Sequence, residues 1–309
     1  MNIGGHASDM KQHFSFVQTE ESRCHMKIPL LPTKFLIDPL VGSINDTLLV
    51  CSIDYDKYRL FRDKRTKCWM LKLSRRLGKR WIPVASPPHS LFLSSSASSS
   101  STSEILMVGG SREMTAPDQY HLMSGSRFIQ KFNIKTRTWS QGPLLPAPLF
   151  EGCSVETPDG LVAIGDFEEG EPNAYIRTLG MWNELPLSNF QHTNPSCVLT
   201  NINNKLGVVV ISGNRVEMLN LSDKQWFILP KPNINRAPEV KPTLGLSLGK
   251  LVLSGGVDLY SGDISNVVEE WDENKQLWRI SSGSVGLPTI RQGNVMIPVR
   301  FMDYCDILE

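Results

Sequence analysis

Residues 127–146 read RFIQKFNIKTRTWSQGPLLP, and residues 215–232 read RVEMLNLSDKQWFILPKP. Each stretch holds an apolar run, a polar turn, a tryptophan and a proline-bearing exit. Aligning the chain on its tryptophans shows the rule behind them. A large apolar residue stands seven positions before the indole in four places: Phe132 before Trp139, Tyr175 before Trp182, Leu219 before Trp226 and Trp271 before Trp278. Trp81 follows LKLSRRLGKR in the same manner, with Leu73 one position further back. The intervening residues, such as NIKTRT, NLSDKQ and DENKQL, are turn formers. Each copy therefore predicts a hairpin whose two strands carry a bulky group near the turn. Those groups can meet across the hairpin and pack against the next copy.

A second anchor precedes each hairpin. EILMVGG ends in Gly109-Gly110, KLVLSGG in Gly255-Gly256 and LGVVVISG in Gly213. LVAIGD carries Gly165, and TLLVCS has Cys51-Ser52 instead. Glycine closing an apolar strand permits a sharp exit or a close backbone approach that a side chain would block. Before each anchor lies another apolar segment and a short turn, as in CSVETPDGLVAIG and TLGLSLGKLVLSGG, so each unit reads as four strands. Helical periodicity is nearly absent. The tryptophan anchors recur 43 to 58 residues apart, a spacing suited to a four-stranded propeller blade.

With the glycine pair, the aromatic and the later tryptophan in register over essentially the whole chain, the sequence resembles the kelch-repeat β-propeller family. The copies are degenerate: two internal units keep a full Gly-Gly and the first has none. The resemblance implies an all-β fold, a single domain over residues 1–309 and, by anchor count, six four-stranded blades, with five and seven as neighbouring counts. NIGG (2–5) and HFSFVQTEESRCHMKIPLLP (13–32) resemble later strands of a blade, with Cys24-His25 where the tryptophan would stand. RQGNVMIPVRFMDY (291–304) resembles the missing first strand. The last blade would then be closed by both termini, which leaves no exposed edge. Two β-sandwiches in tandem would explain the strands but not the shared indole register. The structural repeat positions are Gly109, Gly110, Trp139, Trp182, Trp226, Gly255, Gly256 and Trp278. Alanine at Trp139 or Trp226 is expected to cost about 3–5 kcal/mol, as for buried aromatics. The tract SSSASSSSTS (94–103) reads as a disordered loop with nothing to bury.

Composition narrows the function classes. The chain is 40% hydrophobic and 20% charged with a formal net charge of +1, so no bulk charge argues for nucleic acid or an anionic membrane. No apolar run reaches a membrane span, and MNIGGHASDMKQHFSF lacks the basic-then-apolar order of a secretory signal. The six cysteines (Cys24, Cys51, Cys68, Cys153, Cys197 and Cys305) include no C-x-x-C pair. Most read as buried free thiols in apolar strand-like runs, and a reducing, cytoplasmic setting is expected. The six histidines show no metal-like spacing. No G-x-S-x-G elbow, phosphate loop, H-E-x-x-H or dinucleotide motif is present. No enzyme, cofactor or metal is therefore expected.

In the resembled family, loops joining the second and third strands of each blade project around one mouth of the central channel, together with the linkers between blades. Such loops are where binding residues concentrate. Residues 54–67 (DYDKYRLFRDKRTK) are basic and aromatic, residues 111–126 carry Arg112, Tyr120 and His121, and FEEGEPN (167–173) is acidic. VDLYSGDISN (257–266) offers Tyr260 and Asp263. The partner-contact candidates are Arg59, Arg62, Arg65, Arg112, Tyr120 and Tyr260, since arginine forks and tyrosine rings suit an acidic peptide. For any single loop the plainer reading is a solvated connector. Lys72, Arg75, Arg76, Lys79 and Arg80 lie on a far hairpin turn and should face the opposite side. The function implied is a non-catalytic protein–protein interaction scaffold or substrate adaptor, although no BTB or F-box segment occurs in these residues. The alternative is a carbohydrate-active or metal-dependent propeller enzyme, galactose-oxidase-like or sialic-acid-mutarotase-like.

Overall fold

A computed structural model of the chain describes residues 2–3, 14–15, 31–32, 37–53, 66–72, 80–91, 93–99, 101–111, 125–167, 174–238, 241–247, 249–262, 265, 267–281 and 295–296. Two short strands come first, Asn2–Ile3 (β1) and Phe14–Ser15 (β2). One sheet then takes Ile37–Ile44 (β3), Thr47–Ile53 (β4), Thr66–Lys72 (β5) and Ile82–Val84 (β6). The next takes Ser95–Ser99 (β7), Glu104–Val108 (β8), Ile129–Asn133 (β9) and Thr138–Gln141 (β10). A third is built from Leu149–Thr157 (β11), Gly160–Phe167 (β12), Ala174–Thr178 (β13) and Met181–Glu184 (β14). Ser196–Ile202 (β15), Lys205–Ser212 (β16), Arg215–Asn220 (β17) and Trp226–Leu229 (β18) form the fourth. Thr243–Ser247 (β19), Lys250–Ser254 (β20), Val268–Asp272 (β21) and Leu277–Ile280 (β22) form the fifth, and Val295–Met296 (β23) follows. Among the described residues no helix is long and apolar enough to cross a membrane.

Every four-stranded sheet is an antiparallel meander in chain order. The first strands pack on one another, β3 on β7, β7 on β11, β11 on β15 and β15 on β19, and β19 also meets β23. This is a β-propeller of four-stranded blades. The expectation of six four-stranded blades needs correction, because the described residues contain five. The remaining sheet has three strands in the order β2–β1–β23. In it Asn2 pairs Met296 and Ile3 pairs both Val295 and Phe14, so segments from the two ends of the chain share one antiparallel ladder. The residues around Cys24-His25, expected to complete that blade, lie outside the described residues.

Second strands are sandwiched between neighbouring blades, so both faces are buried and the sequence runs apolar without alternation. LGVVVIS in β16 shows it, with Val208, Val209, Val210 and Ile211 fully buried. The core lies between sheets. Ile105, Met107 and Phe132 pack on Leu40, Leu49 and Met70 of the preceding blade. Val162, Ile164 and Ala174 pack on Val208, Val210 and Leu219.

The tryptophan register holds in three blades, where Trp139 faces Phe132, Trp226 faces Leu219 and Trp278 faces Trp271 directly across the hairpin. The Phe132 and Trp139 rings lie 5.1 Å apart, and Trp271 meets Trp278 edge-on at 5.6 Å. The third blade departs: Trp182 faces Arg177 and Tyr175 faces Glu184. Its hairpin closes on Leu179-Gly180 directly after Thr178, which slides the register so that Tyr175 and Trp182 meet diagonally.

The proline-bearing exit has a physical reason. Trp139 donates its indole N–H to Ala85 O (2.7 Å), Trp226 to Pro186 O (2.8 Å) and Trp278 to Pro230 O (3.0 Å). Each acceptor lies just beyond the outer strand of the preceding blade, so each indole staples two blades. Proline suits this place, because it lacks an N–H but keeps its carbonyl. Trp278 is buried, whereas Trp139 and Trp226 are only partly so. The expectation of a full buried-aromatic loss at Trp139 and Trp226 therefore moves to Trp278.

Both glycine pairs have positive φ, 65° and 96° at Gly109 and Gly110, 69° and 84° at Gly255 and Gly256. A Cβ on Gly109 would stand 2.8 Å from Leu149 O, and Gly110 N donates to that same oxygen at 2.9 Å. The glycines thus admit the next blade's first strand.

Two further expectations fail. Over its described residues the serine tract 94–103 is not a disordered loop. Ser95–Ser99 is the first strand of its blade, with Ser95, Ala97 and Ser99 buried. Small residues fit where first strands converge, and their hydroxyls bond across: Ser96 Oγ to Val41 O at 2.7 Å, Ser95 Oγ to Ser154 Oγ at 2.8 Å. Nor are the described cysteines free thiols. Cys51 and Cys68, paired on β4 and β5, form one disulfide, and Cys153 of β11 joins Cys197 of β15 across two blades. Among the described residues no cysteine is free.

Candidate functional site

First strands begin, and the loops between second and third strands project, at one end of the propeller. That end is the mouth, and its linkers are held by buried polar groups. In the fifth blade Glu269 Oε1 accepts from the backbone N–H (2.6 Å) and Nδ2 (3.0 Å) of Asn233. Its Oε2 pairs with Arg236 Nη1 at 2.5 Å, and both charged side chains are fully buried. Arg236 Nε also donates to Gly255 O at 2.8 Å. Burial pushes the guanidinium below its ordinary value and the Glu269 charge opposes this; it stays protonated. The fourth blade repeats the tether with histidine in place of arginine. Asn189 donates twice to Glu217 Oε2, and His192 Nε2 lies 2.8 Å from Oε1 with neither side chain exposed. Burial alone would raise the Glu217 carboxyl, yet bonds from His192 and Asn189 hold it below its usual range. In the second blade Gln130 closes on the backbone of His89 at both its amide atoms. His89 and His192 therefore serve linkers.

On this frame sits the loop after β20. Leu259 N donates to Asn235 O (2.7 Å) and Ala237 N to Val257 O (2.8 Å). Asp258 Oδ1 accepts from Tyr260 N and Ser261 N, each at 2.9 Å, and these bonds, Ser261 first, hold its carboxyl below the ordinary value. The pinned backbone presents Leu259 and Tyr260, 55% and 82% exposed. Of the expected contact residues, Tyr260 is the one the structure places, at the rim of the mouth. Arg59, Arg62, Arg65, Arg112 and Tyr120 lie outside the described residues, as do Asp263 and the acidic residues Glu168, Glu169 and Glu171.

The channel between the first strands encloses about 320 Å³ and is walled by Leu40, Val41, Val155, Val198 and Leu244, with Ser95, Ser154 and Ser196 among them. Two charged side chains line it. Glu156 stands near the β11–β12 turn, its carboxyl raised by burial. Lys241 stands at the mouth end, donating to Gly152 O at 2.9 Å. Burial lowers the Lys241 ammonium from 10.5 to about 8, against the opposing charge of Glu151. This gives a signed pH prediction. Between about pH 8 and 10.5 the unfolded chain holds the Lys241 proton that the folded chain has lost, so stability rises with pH in that window. Lys241→Met should unfold at higher denaturant than the parent below pH 8, and the gap should shrink toward pH 10.5; a gap independent of pH would disprove the burial of the charge.

On the opposite face Lys72, Arg80, Lys135 and Arg137 rim a cleft floored by Met70, Ile82 and Ile134, with Lys72 3.9 Å from Asp46. The far-side basic residues Lys72 and Arg80 fall there, away from the mouth. Reading the sequence missed Arg236, Glu269, His192, Glu217 and Lys241. For Arg236 and His192 a signal exists: both linkers carry asparagine three residues before the basic residue, Asn189 to His192 and Asn233 to Arg236, whereas Glu217 and Glu269 lie on other strands. Lys241 has none, because its partner is 89 residues away.

No family model matches this chain, and no curated protein does. A solved structure of the protein YjhT matches with a TM-score of 0.62 and 15% identity, covering 88% of this chain and 90% of that one. At that identity the likeness concerns the fold alone, and it agrees with the strand topology: the chain is a β-propeller of four-stranded blades.

Proposed function

We propose that this chain is a kelch-type propeller that binds a segment of a partner protein at its mouth, without catalysing a reaction. The β2–β1–β23 sheet serves in this reading as the sixth blade, closed by both termini. The observation that carries the proposal is the 255–262 loop, an exposed leucine and tyrosine on a backbone already fixed by hydrogen bonds along its length. An aromatic anchor on a preformed loop binds with little ordering cost. Leu259 N, Ala237 N, Tyr260 N, Ser261 N and Gly262 N are among the donors, and Arg236 Nε and Ser265 N donate to Gly255 O and Gly256 O. Arg59, Arg62, Arg65, Arg112 and Tyr120 would add the preference for an acidic segment. The propeller-enzyme alternative would draw on the channel, where Glu156 and Lys241 stand near opposite ends instead of converging. The two disulfides favour an oxidising compartment over the cytoplasmic setting expected from the sequence.

Affinity capture with mass spectrometry tests this. A partner recovered with the parent chain should be lost, about tenfold or more in affinity, with Tyr260→Ala or with charge reversal at Arg59, Arg62 and Arg65. Thermal stability should stay nearly unchanged. Undiminished recovery by both variants would dismiss the mouth as the binding surface.

A further inference from the structure

The mouth end of the channel holds an arrangement that partner recognition does not use. β11 carries a bulge between Phe150 and Cys153. Within it Glu151 adopts φ 51°, in the left-handed region that non-glycine residues rarely occupy. Gly152 is confined as well, since a Cβ there would lie 2.7 Å from Leu149 Cδ1 and 2.8 Å from Ile164 O. Bulges of this kind re-aim groups beside functional sites. This one directs the Gly152 carbonyl to Lys241, which enters from the linker before β19 and reaches past β15 to the blade of β11. The Cys153–Cys197 disulfide ties β11 to β15 one residue away, which holds the acceptor's strand in place.

We infer that Lys241 is a nucleophilic amine that captures short aliphatic aldehydes in the channel as an imine. A lysine amine without its extra proton still donates one N–H, here to Gly152 O, and keeps its lone pair for attack. The loss of charge comes from burial. At pH 7.5 roughly a quarter of such an amine is neutral, against about 0.1% for an ordinary lysine. The lone pair attacks the carbonyl carbon; the C–N bond forms as the C=O π pair moves to oxygen. A proton passes from nitrogen to oxygen to give a carbinolamine. That hydroxyl then leaves with one proton as water, and C=N remains. Nothing is oxidised or reduced. The space of about 320 Å³ and the walls of Leu40, Val41, Val198 and Leu244 select a short apolar chain.

The test uses the parent chain and one variant. Each is incubated at pH 7.5 with butanal and sodium cyanoborohydride, which reduces the imine and leaves disulfides intact, and alkylated lysines are quantified by peptide mass spectrometry. Lys241 should be alkylated at least about tenfold faster than the exposed Lys135, Lys231 and Lys250. Naphthaldehyde, too bulky for the channel, should lose that preference, and Lys241→Arg should remove the fast site alone. Alkylation of Lys241 no faster than that of the exposed lysines would overturn the inference, as would a preference unchanged by the bulky aldehyde. These outcomes are independent of whether Tyr260 contacts a partner.

Discussion

Arg236→Met is expected to destabilise the chain by about 3–5 kcal/mol, the range for breaking a buried ion pair from one side. The loss does not measure the worth of the pair. It arises because the Glu269 carboxyl stays fully buried without its cationic partner, with the two Asn233 bonds as its remaining support. Gly255 O loses its donor at the same time. Arg236→Lys should fall between, since it restores the charge but not the Nε bond to Gly255. The double variant Arg236→Met, Glu269→Leu should recover part of the loss, limited by the Asn233 donors it strands. Urea unfolding followed by tryptophan fluorescence reads all three. A loss below about 1 kcal/mol for the single variant would mean Glu269 is reached by water. Because the 255–262 loop hangs on residues 235–237, Arg236→Met should also weaken the partner recovered through Tyr260.

Trp278→Ala should cost about 3–5 kcal/mol. Its ring is 2% exposed in the core between the fourth and fifth blades, beside Val216, Met218 and Trp271. Phenylalanine there keeps most of the apolar area and loses the bond to Pro230 O, so Trp278→Phe should lose less, with about 1 kcal/mol from that bond. Trp139 and Trp226, partly open to solvent, should lose less on truncation than Trp278. Equal and small losses at all three would show that the indoles decorate the blades without stapling them.

The repeats were legible because a hairpin is a local object. Phe132 and Trp139 pair through a turn written between them, and Gly109-Gly110 marks a backbone conformation that side chains resist. The slid register at Trp182 escaped because one shorter turn changes every pairing after it while leaving the seven-residue spacing intact. The buried tethers were half legible. Asn189 and His192 share a linker with a readable spacing, but Glu217 sits on another strand and nothing nearby names it as their acceptor.

From the sequence alone followed the strand class, the four-stranded unit and the pairing of both chain ends in one sheet, since these depend on neighbours along the chain or on a repeated pattern. Only the tertiary structure decided what faces the axis. There Ser95–Ser99 became a buried strand, Cys153 found Cys197 across 44 residues, and Lys241 found Gly152 across 89. Those contacts come from side-by-side packing of blades. Packing brings together residues whose separation in the chain carries no trace of their meeting.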